Sequence, residues 1–220
     1  MSHLTENAMK LIGMLDSPYV RRTAISLQLL GLSFEHQSLS VFRTYDEFRA
    51  INPVVKAPTL ICEDGTVLMD STLILQYAEA VAGRSLLPAE PGALRHALRV
   101  TGLALAACEK SVQIFYEHLL RPEEKRHGPW LERVTAQLVA ACAALEQELV
   151  QQPIEASAAA IGQAGITTAV TWKFILLTTP GIVAPDRHPA LVAFSEKAEA
   201  LAAFRAAPHG AGTYRAAATA

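Results

Sequence analysis

The chain has 220 residues, of which 51% are hydrophobic, so it can bury a sizeable core as one large domain or two small ones. Its 19 Lys and Arg residues nearly balance 21 Asp and Glu residues, and a formal net charge of -2 gives no field that would gather nucleic acid or an anionic membrane. No stretch approaches the roughly 20 consecutive apolar residues that a spanning helix requires, so we expect neither nucleic acid nor a membrane as a partner.

The three cysteines favour a reducing compartment. Cys62, Cys108 and Cys142 are odd in number, widely spaced and set in apolar sequence, which suits buried reduced thiols better than a disulfide framework. We therefore expect a cytoplasmic location. The segment from Ser2 to Ala8 is expected to be a polar extension, because Met9 could equally serve as the natural start.

The first third of the chain alternates short apolar runs with helical periodicity. This pattern predicts a βαβ unit followed by a ββα unit, which is the layout of a thioredoxin-like α/β domain. Asp64-Gly65 provides the turn signal of the second unit's hairpin, and glycines follow both long helices. The predicted elements are strands over 10–15, 34–39, 59–62 and 67–69, and helices over 18–30, 45–50 and 71–82.

The remainder of the chain predicts an all-α bundle. Residues 85–92 contain two prolines and are expected to form a linker. Helices are predicted over 93–120, 130–151, 163–177 and 189–203. On the first of these helices, one largely apolar face is formed by Leu94, Leu98, Thr101, Leu105 and Cys108. The sequence thus predicts domains over 9–84 and 93–208, and an Ala-rich tail from Ala206 that we expect to be poorly ordered.

Ser17-Pro18 lies where the first strand passes into the first helix. Ser is a favoured N-cap and Pro is a favoured first helical residue, so these two residues by themselves predict an ordinary helix start. The same helix end offers N–H donors and positive potential that favour a thiolate, and a Ser hydroxyl directed at the sulfur would lower the thiol pKa further. Arg21 and Arg22, which follow, are expected on a solvated face of the helix.

Two later segments also have both a structural and a ligand-binding interpretation. Pro58 stands at the entrance of the third strand, where proline is common. Asp70-Ser71 opens the last helix of the domain, where either residue can cap the helix. Alternatively, the free N–H groups of this helix end and the Ser71 hydroxyl can hold a ligand carboxylate.

In combination these segments resemble the cytosolic glutathione transferase family. Ser-Pro-Tyr-Val-Arg-Arg at 17–22, Asn-Pro-Val-Val-Lys-Ala-Pro at 52–58 and Asp-Ser at 70–71 stand in the family's order and at its intervals. The resemblance extends to about Pro208 and includes Trp172-Lys173-Phe174 in the helical half.

The resemblance implies a role for each matched residue. Ser17 would activate the sulfur of glutathione, and Pro58 would be a cis-proline, with the backbone of Ala57 pairing with the cysteinyl part of the ligand. Asp70 and Ser71 would hold the γ-glutamyl end. Lys56 would contribute charge near the glycyl end.

The function implied by the resemblance is that of a homodimeric glutathione S-transferase, which conjugates the thiolate of its co-substrate glutathione to a small hydrophobic electrophile. Glutathione-dependent isomerisation, dehalogenation and peroxide reduction stay open, as does a glutathione-transferase-like binding protein with little turnover. Dithiol exchange is excluded because Ser17 and Val20 occupy the positions of a Cys-Pro-x-Cys pair, and a single-cysteine glutaredoxin mechanism is not expected. The histidines show no paired ligand spacing, so we expect no metal.

The chain departs from the family pattern in two places. Many relatives carry Gly where this chain has Val55, so the loop should adopt a conformation that a β-branched residue accepts. The family commonly has a capping box at the third helix of the bundle, with Ser or Thr followed three residues later by Asp, but this chain has Gly162 and Gly165. We expect this helix to persist through a staple of Ile161 and Ile166, and a Gly165→Asp variant to melt at a higher temperature.

Overall fold

The structure is a computed structural model that describes residues 8–215. The polar extension expected before Met9 lies outside this range, apart from Ala8. The elements are β1 Met9–Ile12, α1 Pro18–Leu29, β2 Phe34–Gln37, α2 Tyr45–Ile51, β3 Thr59–Ile61, β4 Val67–Met69, α3 Ser71–Ala82, α4 Pro91–Leu120, α5 Gly128–Gln151, α6 Gln163–Thr178, α7 Pro189–Glu199 and α8 Ala202–Ala206. Short 3-10 turns precede α5 and α7.

The four strands form one mixed sheet in the order β2-β1-β3-β4. Strand β1 pairs in parallel with β2, while β3 is antiparallel to both β1 and β4. Leu11, Ile12 and Leu60 are fully buried, which explains why the apolar runs of β1 and β3 became the central strands. The βαβ-ββα prediction and the thioredoxin-like layout are confirmed.

The predicted turn between β3 and β4 forms at Asp64-Gly65. Gly65 has a φ of 86°, which suits glycine, and the Asp64 carboxylate accepts a hydrogen bond of 2.8 Å from the Thr66 amide. The Cys62 amide donates to the Thr66 carbonyl at 2.8 Å and closes the hairpin.

The chain divides into two compact units. Within the described residues, the first unit comprises 8–86 and 202–215, and the second comprises Leu87–Leu201. The helical domain was expected to end at residue 208, whereas the second compact unit ends at Leu201. The reason is that α8 binds α1, where Arg21 Nε donates to the Ala207 carbonyl at 2.7 Å and Gln28 Nε2 to the Ala203 carbonyl at 3.0 Å.

The helix predicted over 189–203 is accordingly interrupted after Glu199, and α8 is a separate short helix. The poor order expected from Ala206 is wrong for the described part of the tail, because Ser38 Oγ donates to the Ala211 carbonyl at 2.9 Å and the Arg215 amide to the Ala206 carbonyl at 2.9 Å. These partners are distant in sequence, so composition alone did not reveal them. Residues 216–220 lie outside the described range.

In the second unit, α4 packs against α5 and α6 through a face that only partly coincides with the predicted one. Of the predicted residues, Cys108 is buried, while Leu94, Thr101 and Leu105 are half-buried. Leu98, predicted on the apolar face, is 51% exposed. The buried residues of α4 are mostly small and are Ala97, Val100, Ala104, Ala107, Cys108, Ser111, Ile114 and Glu117. Small side chains let helices approach closely, so alanine lines the centre of the contact and Leu98 is left outside it. Within residues 8–215, no helix is long and apolar enough to cross a membrane.

Helix α6 forms without a side-chain cap, as expected. Gly162 is its N-cap, and both Ile161 and Ile166 are buried. Gly165 is also buried, and a Cβ there would lie 2.8 Å from Ile161 Cγ1 and 3.1 Å from Phe194 Cζ. The structure therefore predicts the opposite of the expected rise in melting temperature for Gly165→Asp, because neighbouring side chains occupy the space that a new side chain would need.

Candidate functional site

The Ser17 side chain caps α1. Its backbone is extended, with φ -71° and ψ 122°, and Pro18 is the first helical residue. Ser17 Oγ accepts a long hydrogen bond of 3.4 Å from the Val20 amide. A hydroxyl has one proton and two lone pairs, so this contact leaves the proton able to donate to a ligand at the helix end. The ordinary helix start and the thiolate-binding interpretation are thus compatible.

Gly13 is where three segments of the site converge. It has a φ of 133°, and a Cβ there would lie 2.6 Å from Val20 Cγ2 and 3.2 Å from Ala57 Cβ. Only glycine lets the end of β1, the first turn of α1 and the segment before Pro58 approach this closely. No sequence motif singled out Gly13, although a glycine between a strand and a helix cap is a detectable signal.

The segment before β3 carries the cis Ala57–Pro58 peptide bond that the resemblance implied. Asn52 holds this segment together: its Nδ2 donates to Thr59 Oγ1 at 2.8 Å, and its Oδ1 accepts from the Val54 amide at 3.0 Å. Asn52 is only 3% exposed. The buried amide satisfies loop donors and acceptors that would otherwise lack partners.

Val55 adopts a left-handed conformation with a φ of 52°. The expectation that the loop would change to suit a β-branched residue is therefore wrong. Its side chain is partly buried and packs against the cluster of Ile12, Leu39 and Phe48. Burial of the apolar side chain offsets a backbone conformation that glycine would adopt without strain.

Asp70, Ser71 and Lys56 meet at the start of α3. Asp70 has a φ of 71°, and its Oδ1 accepts from the Thr72 amide at 2.9 Å, so it caps the helix. Its other oxygen lies 3.8 Å from Lys56 Nζ, and both side chains are about half exposed. The resemblance assigned Lys56 to the glycyl end of glutathione and Asp70 to the γ-glutamyl end, whereas the structure brings the two side chains together.

Arg22 joins α1 to the start of α3 from the interior. Its Nη1 donates to Ser71 Oγ at 3.1 Å and to Thr72 Oγ1 at 3.3 Å. Arg22 is 3% exposed and Arg21 is 1% exposed, so the solvated face expected for both residues is wrong. The guanidinium adds a positive charge to a helix N-terminus that already favours anions.

The protein's own thiols are unsuited to nucleophilic chemistry. All three cysteines are buried and none of them forms a disulfide, as predicted. Burial raises the pKa of the Cys142 thiol to about 12, and it also raises the pKa of the Cys62 thiol. A thiolate at the start of α1 would therefore have to come from a ligand. Among residues 8–215, no group of three or more His, Cys, Asp or Glu side chains could hold a metal ion.

Known proteins are similar to this chain in sequence and in fold. Residues 11–85 match the family described as glutathione S-transferase, N-terminal domain. The uncharacterized GST-like protein YibF of Escherichia coli K12 is 25% identical over 174 residues, which cover 79% of this chain and 86% of YibF. A glutathione S-transferase of Methylobacterium radiotolerans, solved with glutathione sulfonate, is 26% identical with a TM-score of 0.81, covering 90% of this chain and 93% of that one. A glutathione transferase family member of Pseudomonas fluorescens Pf-5, solved with bound glutathione, is 27% identical with a TM-score of 0.78, covering 91% and 98%.

Proposed function

Because the chain belongs to the cytosolic glutathione S-transferase family, we propose that it binds glutathione in its first unit and transfers the thiolate to a small hydrophobic electrophile. The observation that carries the proposal is the Ser17 hydroxyl at the start of α1, beside the convergence of Gly13, Val20 and Ala57. Two relatives with this fold were crystallised with glutathione or its sulfonate, which supports the choice of ligand.

Ser17 stabilises the thiolate and does not itself attack the electrophile. The positive end of α1 and a hydrogen bond from the Ser17 hydroxyl both favour the charged form of the sulfur, so they lower its pKa from the ordinary value of about 8.5. The sulfur then attacks an electrophilic carbon, where a carbon–sulfur bond forms as the electron pair moves to a leaving group or along a double bond.

The other end of glutathione carries an α-amino group and a carboxylate, and the start of α3 has partners for both. Arg22 donates to Ser71 Oγ, which leaves the Ser71 proton to donate to the ligand carboxylate. The Asp70 carboxylate attracts the α-amino group. The Ala57 backbone, next to Pro58, pairs with the cysteinyl part, and Lys56 attracts the glycyl carboxylate.

The proposal extends to assembly and location. We place the protein in the cytoplasm as a homodimer, on the strength of the family resemblance and of its buried, reduced cysteines. Sedimentation velocity at micromolar concentration tests the assembly, since a single species at the mass of one chain would contradict it.

The decisive experiment compares the wild type with Ser17→Ala and Ser17→Thr. The pKa of bound glutathione is titrated by thiolate ultraviolet absorbance, and conjugation is followed with an aromatic halide. We expect Ser17→Ala to return the thiol pKa towards its free value and to lower kcat/KM about a hundredfold, as for loss of a donor to a developing anion. Ser17→Thr keeps a hydroxyl and should retain part of both effects.

The outcomes separate the candidate functions. A lowered thiol pKa without conjugation would favour isomerisation, dehalogenation or peroxide reduction, each of which can be assayed on the same protein. Glutathione binding with an unshifted pKa in all three proteins would favour a binding protein with little turnover. Absence of glutathione binding would overturn the proposal.

A further inference from the structure

The tail of the first unit lies along the edge strand β2. We refer to residues 207–215 as the C-terminal strap. Phe34 and His36 form the half-buried side of this strand, and Ser38 lies just beyond its end; all three residues contact the strap. The Tyr214 ring stacks on Phe34 with centroids 4.5 Å apart, and the Tyr214 amide donates to His36 Nδ1 at 2.9 Å.

His36 uses both nitrogens of its ring. Nδ1 accepts from the Tyr214 amide, so it carries no proton. Nε2 lies 2.7 Å from the Gly13 carbonyl oxygen, which can only accept, so the proton is on Nε2. Only the neutral imidazole with its proton on Nε2 makes both contacts. The ring thus joins the strap to Gly13, which leads into the loop that ends at Ser17.

We propose that His36 is a pH-sensitive latch, whose neutral ring holds the C-terminal strap on β2 and whose protonated ring releases it. Protonation would put an N–H on Nδ1, opposite the N–H of Tyr214. The strap would lose one hydrogen bond and meet a donor in its place, while the bond to Gly13 would survive. The latch is independent of glutathione and goes beyond the proposed function.

The direction of the pH dependence follows from the burial of the ring. Burial lowers the pKa of His36 below its ordinary value of about 6.5, although the Gly13 carbonyl opposes this effect. The closed strap therefore has its full stability above about pH 6.5, and this stability is lost as the pH falls and the released form takes up the proton. Mild acid should open the strap while neutral solution keeps it closed.

Other titratable groups lie around the latch. Asp16, in the loop between β1 and α1, is close to His209 of the strap and to Arg43, and burial raises its pKa. Lys10 and Glu35 pair at 3.3 Å on the neighbouring strands, and the strap itself contributes Tyr214 and Arg215. Because its pKa is raised by burial, the Asp16 carboxylate can also take up a proton in mild acid, so it needs its own control.

Hydrogen exchange followed by mass spectrometry tests the latch on the unliganded full chain. The protection of the strap amides is measured at about pH 7.5 and at about pH 5.5, on either side of the ordinary histidine pKa. The rates are corrected for intrinsic exchange, and a peptide from α5 provides the internal reference. In the wild type, we expect strap protection to fall about tenfold in acid, which corresponds to one lost hydrogen bond.

Three variants identify the titrating group. His36→Asn keeps an acceptor near the position of Nδ1 but cannot take a proton, so its strap should stay protected at both pH values. His36→Leu has no acceptor for the Tyr214 amide, so its strap should lack protection at both pH values. Asp16→Asn should keep the wild-type pH dependence. Equal protection of the wild type at both pH values, or a His36→Asn strap that opens in acid as the wild type does, would overturn the proposal.

Discussion

Val55 and Gly165 depart from the family pattern in opposite directions, because one adds a side chain where glycine is common and the other removes a carboxylate. At Val55 the backbone has a φ of 52°, so the valine side chain stands on a backbone conformation that suits glycine. At Gly165 the space that a Cβ would need is occupied by Ile161 and Phe194. We therefore expect Val55→Gly to be tolerated and Gly165→Asp to be destabilising.

The largest effect is expected from reversing the second departure. Gly165→Asp would force a Cβ against Ile161 and Phe194 and bury a carboxylate, so the free energy of unfolding should fall by about 3 kcal/mol. Urea denaturation measures this loss.

Gly102 provides the matched control for this substitution. It lies inside α4, it is exposed, and a Cβ there meets nothing within 4 Å. Because Gly and Asp differ little in helix propensity, Gly102→Asp should stay within about 0.5 kcal/mol of the wild type. If the two variants lost equal stability, crowding at Gly165 could not be the cause.

A smaller effect is expected at Val55. If the Gly variant is more stable than the Ala variant there, which is the reverse of the usual order, the difference reports the strain in the backbone. An Ala in the left-handed region is strained and a Gly is not, so Val55→Gly should be more stable than Val55→Ala by about 1 kcal/mol. The neighbouring Val54 is 62% exposed and has no positive φ, so it provides the reference.

At Val54 the order should be the usual one, with Ala more stable than Gly by roughly 0.5–1 kcal/mol because glycine loses more conformational freedom on folding. Thermal unfolding of the four variants measures both differences. The same order at both positions would mean that the loop relaxes around Val55 in solution.

The local features of the fold were accessible from the sequence. The bounds of β4 and α3 agree with the prediction, and α1 begins at Pro18 as expected, because turn residues and caps act over a few positions. The order of the elements and the Asp64-Gly65 turn were likewise predicted from short windows.

Features that depend on distant partners were not accessible. Arg21 was expected in solvent, but its acceptor at Ala207 is 186 positions away, and the Ser71 partner of Arg22 is 49 positions away. A pattern within α1 does not contain these contacts. The inner face of α4 was only partly predicted for a related reason, since periodicity does not reveal that a close helix contact favours alanine over leucine.

The smallest effect is expected at Gly162, and it would separate the two halves of the missing capping box. Gly162 keeps an extended backbone, with φ -108° and ψ -168°, which any residue can adopt as an N-cap. Gly162→Ser restores a hydroxyl that can accept from a free N–H of α6, so it should raise the free energy of unfolding by a few tenths of a kcal/mol. Gly162→Ala has the same Cβ without the hydroxyl and should be less stable than the wild type. If both variants were destabilised equally, the space at Gly162 would also have closed, and the departure at α6 would be irreversible along the whole first turn.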